Sequence, residues 1–204
     1  MKTNSNHIIN YLRDTYTEPV LKGIVKSFKT CSLDTSNQTS LVNSETHVID
    51  FDSLTKWFYK GQDSPKSADS LSFSEDEVHL FEFKSGQLIS PPRKLCKLLN
   101  SVSGKIKDSG NTLTNKILSQ VPECSTIKLN FHLVTSLQGK GYEPINNVYA
   151  KLVSEKSKHD SFKDTVEVRM REIDGSKRFS TTDLVYAEHF DEYLELHKIV
   201  DISL

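Results

Sequence analysis

Asp69 and, after twelve intervening residues, the triplet Glu82-Phe83-Lys84 are the residues of this chain whose types and spacing could do chemistry. They lie in a segment of alternating character. Ser67-Ala68-Asp69-Ser70-Leu71-Ser72-Phe73 leads into a polar tip, Ser74-Glu75-Asp76-Glu77. Val78-His79-Leu80-Phe81-Glu82-Phe83-Lys84 follows. Two alternating runs around a polar tip predict a β-hairpin. With the turn centred on Glu75-Asp76, Phe73 faces Val78, Leu71 faces Leu80 and Asp69 faces Glu82. Directly opposed residues have Cβ atoms about 4.5–5.5 Å apart, and like charges there destabilise the pair. A divalent cation would offset that repulsion, because hard cations such as Mg²⁺ take carboxylate oxygens and complete their shell with water. Lys84 falls on the same face as Glu82. Its ammonium could position or deprotonate a water, or offset charge developing on a phosphate. The bland alternative is a surface strand carrying an ordinary ion pair.

These residues resemble the PD-(D/E)XK nuclease superfamily: an acid, then an acid-x-lysine triplet in an apolar strand, then a long helix and a further strand. The resemblance covers roughly residues 45–135, with the N-terminal helix as a possible addition. It implies a restriction-endonuclease-like core of helix, antiparallel hairpin strands, helix and strand. It also implies Mg²⁺ or Mn²⁺ held by Asp69, Glu82 and the carbonyl of Phe83, with Lys84 as the catalytic lysine in phosphodiester hydrolysis. Ala68 stands where many members carry a proline. Many members also place a glutamate near the metals, for which Glu18, Glu45, Asp50 and Asp52 are the candidates. The superfamily includes members that no longer cut.

The substrate this implies is nucleic acid, DNA ahead of RNA. Net charge is −1, so no global field draws the chain onto a polyanion. A local basic run exists: Lys84, Arg93, Lys94, Lys97, Lys105 and Lys107 are interrupted by no acid. Arg93, Lys94, Lys97, Lys105 and Lys107 are the expected backbone contacts, although a solvated helix face explains them equally simply. The competing reading is a catalytically silent, nuclease-like binding module acting through a protein partner, and a homodimer stays open. His47 could approach the site. His79 and His132 fall on strand faces opposite the acids. Trp57, Phe58 and Tyr59 could stack on bases, but such a run more commonly belongs to a core. Cys31, Cys96 and Cys124 are too scattered for a disulfide frame or zinc site. With no secretory leader and no apolar run of membrane length, a cytoplasmic protein is expected.

The elements that must position these residues follow from periodicity. With 204 residues, 36 % hydrophobic and 26 % charged, the chain suits a single domain, 1–204. An amphipathic helix is expected over 7–28, kinked or restarted at Pro19. A Ser/Thr/Asn-rich loop follows over 30–44, then a strand over 46–51. A short helix over 54–60, capped by Asp52 or Ser53, should bury Leu54, Trp57 and Phe58. After the hairpin, Ser90-Pro91 should start a long helix reaching about 120, which Gly104 and Gly110 could divide. Residues 126–135 alternate as a strand, with Ile127, Leu129, Phe131 and Leu133 on one face. A loop over 138–144, a helix over 145–156, strands over 166–173 and 184–186, and a last helix over 188–198 complete the chain. The expected fold is α/β: a central mixed sheet flanked by helices, with a C-terminal α+β extension over 140–204.

Overall fold

The computed structural model describes residues 4–60, 62–85, 92–136, 163–175 and 178–202, with the side chains of 92–97 outside that description. The expected helix over 145–156, the loop over 138–144 and the Ser90-Pro91 helix start lie outside the described residues. The fold is α/β, a six-stranded mixed sheet with helices on both faces. No helix among the described residues is long and apolar enough to cross a membrane.

The N-terminal segment is not one helix. Helix α1 (Asn4–Thr15) ends before Thr17, and α2 (Glu18–Ile24) restarts with Pro19 in its first turn, where the missing N–H costs nothing. Val25 turns extended and opens the edge strand β1 (Val25–Ser27). A one-turn helix, α3 (Phe28–Cys31), follows, with Ser27 as its cap. The expected loop contains a two-residue ladder, β2 (Leu33–Asp34) with β3 (Thr39–Ser40). Strand β4 (His47–Asp50) runs directly into α4 (Phe51–Tyr59). The cap of α4 is Asp50 rather than Asp52 or Ser53. Its carboxylate accepts from the Ser53 amide at 2.9 Å, so the helix starts earlier than expected. That start buries Phe51 and Leu54 and leaves Trp57 40 % exposed, its ring edge-on to Tyr16.

The hairpin forms in the expected register. Strand β5 (Ser70–Phe73) pairs antiparallel with β6 (Glu77–Lys84), setting Leu71 opposite Leu80 and Phe73 opposite Val78. Helix α5 (Pro92–Thr112) is continuous through both glycines. A Cβ at Gly104 would lie 2.8 Å from Cδ of Lys66, and one at Gly110 2.8 Å from Cδ of Arg178, so close approach of neighbouring side chains accounts for both. A π-turn over Leu113–Ile117 and a 3-10 turn carry the helix to Gln120. Strand β7 (Lys128–Thr135) then lies parallel to β6. Residues 163–173 form helix α6, not a strand. Val166 and Met170, one turn apart, are buried while Val168 between them is half exposed, a helical and not an alternating pattern. Strand β8 (Thr181–Tyr186) completes the sheet parallel to β7, and α7 (Phe190–Leu196) closes the chain.

The strand order is β1-β4-β5-β6-β7-β8. One face carries Leu71, Phe73, Leu80, Phe131 and Leu133 under α1, α4, α5 and α6. The other carries Phe81, Phe83 and Val134 under Phe28 of α3 and Phe190 and Leu194 of α7. The Phe81 ring is fully buried and meets those of Phe28 and Phe190 edge-on, with centroids 5.1 and 5.6 Å away. Phe81→Ala is expected to cost about 3–5 kcal/mol, measured as a lower denaturant midpoint at unchanged slope.

Candidate functional site

Alternation along β6 sends Val78, Leu80, Glu82 and Lys84 to one face and His79, Phe81 and Phe83 to the other. Glu82 thus points into the layer beneath α5 and is fully buried. Asp69 sits one residue before β5 and is held on both sides by its backbone. Its N–H donates to Phe81 O at 2.9 Å, and its carbonyl accepts from the Phe51 N–H at 3.2 Å. The Asp69 carboxylate reaches the same end of β6, where Oδ2 accepts from the Phe83 amide at 2.7 Å. The expected opposition of Asp69 and Glu82 is therefore realised just past the last paired residue of the ladder.

Two ammonium groups meet these acids. Lys84 Nζ lies 2.6 Å from Glu82 Oε1, and Lys105 Nζ lies 2.6 Å from Glu82 Oε2 and 3.1 Å from Asp69 Oδ1. The Lys105 contacts are hydrogen bonds; the Lys84 approach is not directed as one, so Oε1 is a buried oxygen with no hydrogen-bond donor. Burial, reinforced by the Asp69 charge, pushes the Glu82 carboxyl up to about 7 despite both lysines. For Lys105 burial works downward, but the pull of Glu82 and Asp69 outweighs it and holds the ammonium above its ordinary value.

Helix α5 is fastened to the segment that carries Asp69. Ser109 Oγ accepts from the Ala68 amide at 2.7 Å, and Asp108 accepts from the Lys66 amide at 3.3 Å. Beside them, Asp52 takes the Ser67 hydroxyl at 2.8 Å and pairs with Lys56. Asp50 pairs with Lys26 while capping α4. Of the four candidate accessory acids, Asp50 and Asp52 are the pair near Asp69. Glu18 is engaged by Lys22 and Glu45 by Lys29, both on exposed surface. His47 also lies elsewhere, 3.4 Å from Asp201. The thiol of Cys31 is pushed up to about 12 by burial and by the nearby Asp50 and Asp69 charges, which favours the protonated thiol.

The basic run behaves differently from expectation at one position. Lys105, expected on the nucleic-acid backbone, turns inward to the carboxylates, whereas Lys107 is exposed. The side chains of Arg93, Lys94 and Lys97 lie outside the described residues. A signal for the inward lysine exists in the sequence. Leu98, Val102, Lys105 and Ser109 follow steps of four, three and four, so Lys105 interrupts the apolar stripe of α5.

A second polar cluster occupies the opposite face of the sheet. His79 and His132, each expected to face away from the acids, meet there at 3.0 Å, Nδ1 to Nε2. His132 Nδ1 faces the Asp183 carboxylate, and His79 Nε2 lies 2.9 Å from Ser74 Oγ. A carboxylate only accepts, so His132 Nδ1 carries the proton. Its Nε2 shares a hydrogen bond with His79 Nδ1, and His79 Nε2 shares another with the Ser74 hydroxyl. The Tyr193 hydroxyl stands 3.0 Å from His132 Nδ1. Burial, with the neighbouring His132, lowers the His79 pKa to about 3. The pairing was invisible in sequence because Asp183 and Tyr193 come from β8 and α7, far along the chain.

Comparison of the chain with protein-family models, with curated proteins and with solved structures finds no match in any of the three. Among the described residues no group of three or more His, Cys, Asp or Glu side chains stands close enough to hold a metal ion. The acids available to a cation are the Asp69–Glu82 pair. They fit a hard cation by donor type: two carboxylates, one with a buried oxygen whose partner is the Lys84 ammonium at 2.6 Å, match the one or two protein carboxylates such ions take.

His79 makes an acid-stability prediction. Its pKa is near 3 folded and about 6.5 unfolded, so between these values the unfolded chain binds a proton that the native protein does not. This contribution is complete above pH 6.5 and is lost as pH falls toward 3. Glu82 acts in the opposite sense between 4.5 and about 7, but it does so equally in wild type and variant. In His79→Phe the fall of unfolding free energy with decreasing pH should shallow by up to about 1.4 kcal/mol per pH unit across the window. Denaturant titrations at pH 4 to 7 read the difference.

Proposed function

We propose that this protein is a divalent-metal-dependent phosphodiesterase acting on nucleic acid, DNA ahead of RNA. The observation that carries the reading is the convergence of Asp69, Glu82 and Lys84 at one end of the β5–β6 hairpin, on one face of the sheet. Three supports add to it. The order of antiparallel β4, β5 and β6, then α5, then parallel β7 is the order implied by the resemblance to PD-(D/E)XK nucleases. The site lies at the strand end next to the start of α4, not within the packed centre. Lys107 is exposed further along α5, as a phosphate contact requires.

In this reading Asp69, Glu82 and the Phe83 carbonyl would hold Mg²⁺ or Mn²⁺. Such an ion, when bound, polarises a phosphoryl oxygen and makes a bound water more acidic. The chain's own residues supply the rest. Asp69 is fixed in direction by the Phe83 amide on Oδ2, so Oδ1, which accepts from Lys105, faces the site. Lys84, about a third exposed beside Glu82, can orient a water or offset charge on a phosphate oxygen.

A second reading, a catalytically silent module of the same architecture working through a protein partner, is favoured by one observation: the Lys105 ammonium already bridges both carboxylates. Calorimetric Mn²⁺ titration separates the two, with plasmid and single-stranded DNA cleavage on the same samples. Wild type is expected to bind and cut, and Asp69→Ala to lose both. Lys84→Ala should keep the metal and lose about 10²–10³-fold in rate. At a Mn²⁺ concentration 100 times the dissociation constant the wild type should gain about 2.7 kcal/mol of stability, read as a raised melting temperature. Wild-type protein that neither binds Mn²⁺ nor cuts overturns the catalytic reading.

A further inference from the structure

We propose that Lys105 is a built-in counter-cation that occupies the place between Asp69 and Glu82 and must leave it before a divalent cation can bind, a regulation of the site that rests on the metal-dependent reading above. The ammonium bridges an oxygen on β6 and one on the residue that precedes β5, 2.6 Å from Glu82 Oε2 and 3.1 Å from Asp69 Oδ1. A surface lysine finding a partner of convenience would not sit over a fully buried carboxylate. Here the Glu82 side chain has no exposed surface, and that of Lys105 is 22 % exposed.

Charge explains why the chain would place a lysine there. Two carboxylates held against apolar neighbours need positive charge, and Lys84 alone leaves one of them unmatched. With Lys105 in place and both carboxylates ionised, the four groups sum to zero, so charge balance needs no metal. A divalent ion added to that neutral set would bring two positive charges beside an ammonium at contact distance. Binding and the Lys105 contact therefore exclude one another. Lys105 has a way out: its four-carbon stem is flexible, and its partial exposure on α5 lets the ammonium turn to water. Metal affinity is thus lowered by whatever the Lys105 contacts contribute, and the same contacts hold the metal-free site together.

Removing the charge should move affinity and metal-free stability in opposite directions. Lys105→Met keeps length and apolar packing, Lys105→Gln supplies a second neutral variant, and Lys105→Arg restores the cation. Mn²⁺ alone is titrated calorimetrically into all four proteins, and melting temperatures are taken with and without it. Both neutral variants are expected to bind Mn²⁺ at least about tenfold more tightly than wild type. They should also melt at lower temperature without metal and regain most of the loss with it, while Lys105→Arg behaves as wild type. An independent measurement needs no variant. Wild type is acetylated with an N-hydroxysuccinimide ester and the Lys105 peptide is quantified by mass spectrometry. Lys105 should be protected without metal and become reactive as Mn²⁺ saturates the site. Equal affinities across the four proteins, or unchanged Lys105 labelling in metal-saturated wild type, overturn the proposal and leave the metal-dependent reading standing. Failure of every protein to bind Mn²⁺ overturns that reading and the proposal together. A neutral variant that binds where wild type does not supports the proposal.

Discussion

Strand β6 is covered on both faces, and that constraint shapes most of what surrounds it. Its burial runs unbroken from Val78 to Phe83, with α5 over one face and α3 and α7 over the other. Six apolar residues would make such a strand inert. Instead it carries Glu82 into one layer and His79 into the other, and water reaches neither. Each polar group must then be satisfied by the protein, because a buried charge or donor without a partner costs more than a paired one returns. The two networks on either side of the sheet answer that requirement differently.

On the His79 side the answer is a relay of hydrogen bonds. Ser74, His79, His132 and Asp183 are linked in series across three adjoining strands, with the Asp183 carboxylate at the far end. Burial works to raise the Asp183 pKa, but the His132 ring more than offsets it, so the carboxylate stays ionised. On the Glu82 side the answer is charge. Two lysines face two acids, and balance depends on groups from the hairpin and from α5 together. A buried ion pair of this kind is weak evidence for stability, since hydrophobic replacements often do as well. Its place at the end of a hairpin, against a partly exposed Asp69, is the feature on which the proposed metal site rests.

The supporting shell has the rigidity such a site needs. Asp69 is tied through its backbone to β6 and to the first residue of α4, and α5 is tied to the same segment through Ser109 and Asp108. Asp50, at the junction of β4 and α4, holds the helix start while Lys26 balances its charge. A displacement of any one of these elements would move the acids relative to each other, and metal or phosphate chemistry tolerates little of that.

Much of this was legible in the residues. Period-two alternation determined the hairpin, its register and the face shared by Glu82 and Lys84, because a one-residue slip would have turned the apolar set into water. The same rule placed Leu129, Phe131 and Leu133 together and sent His79 and His132 to the other side. Local reading failed where two periods compete or where capping decides. Val166 and Val168 imitated a strand inside a helix, and Asp50 rather than Asp52 began α4. What tertiary structure alone decided is which distant groups meet. Lys105 comes to Glu82 from 23 residues away and Asp183 to His132 from 51, each delivered by a crossover that packs a helix or a parallel strand against the sheet. Sequence period settles the face a side chain takes, a local property of φ and ψ. The identity of its partner is set by long-range packing, which no local period encodes.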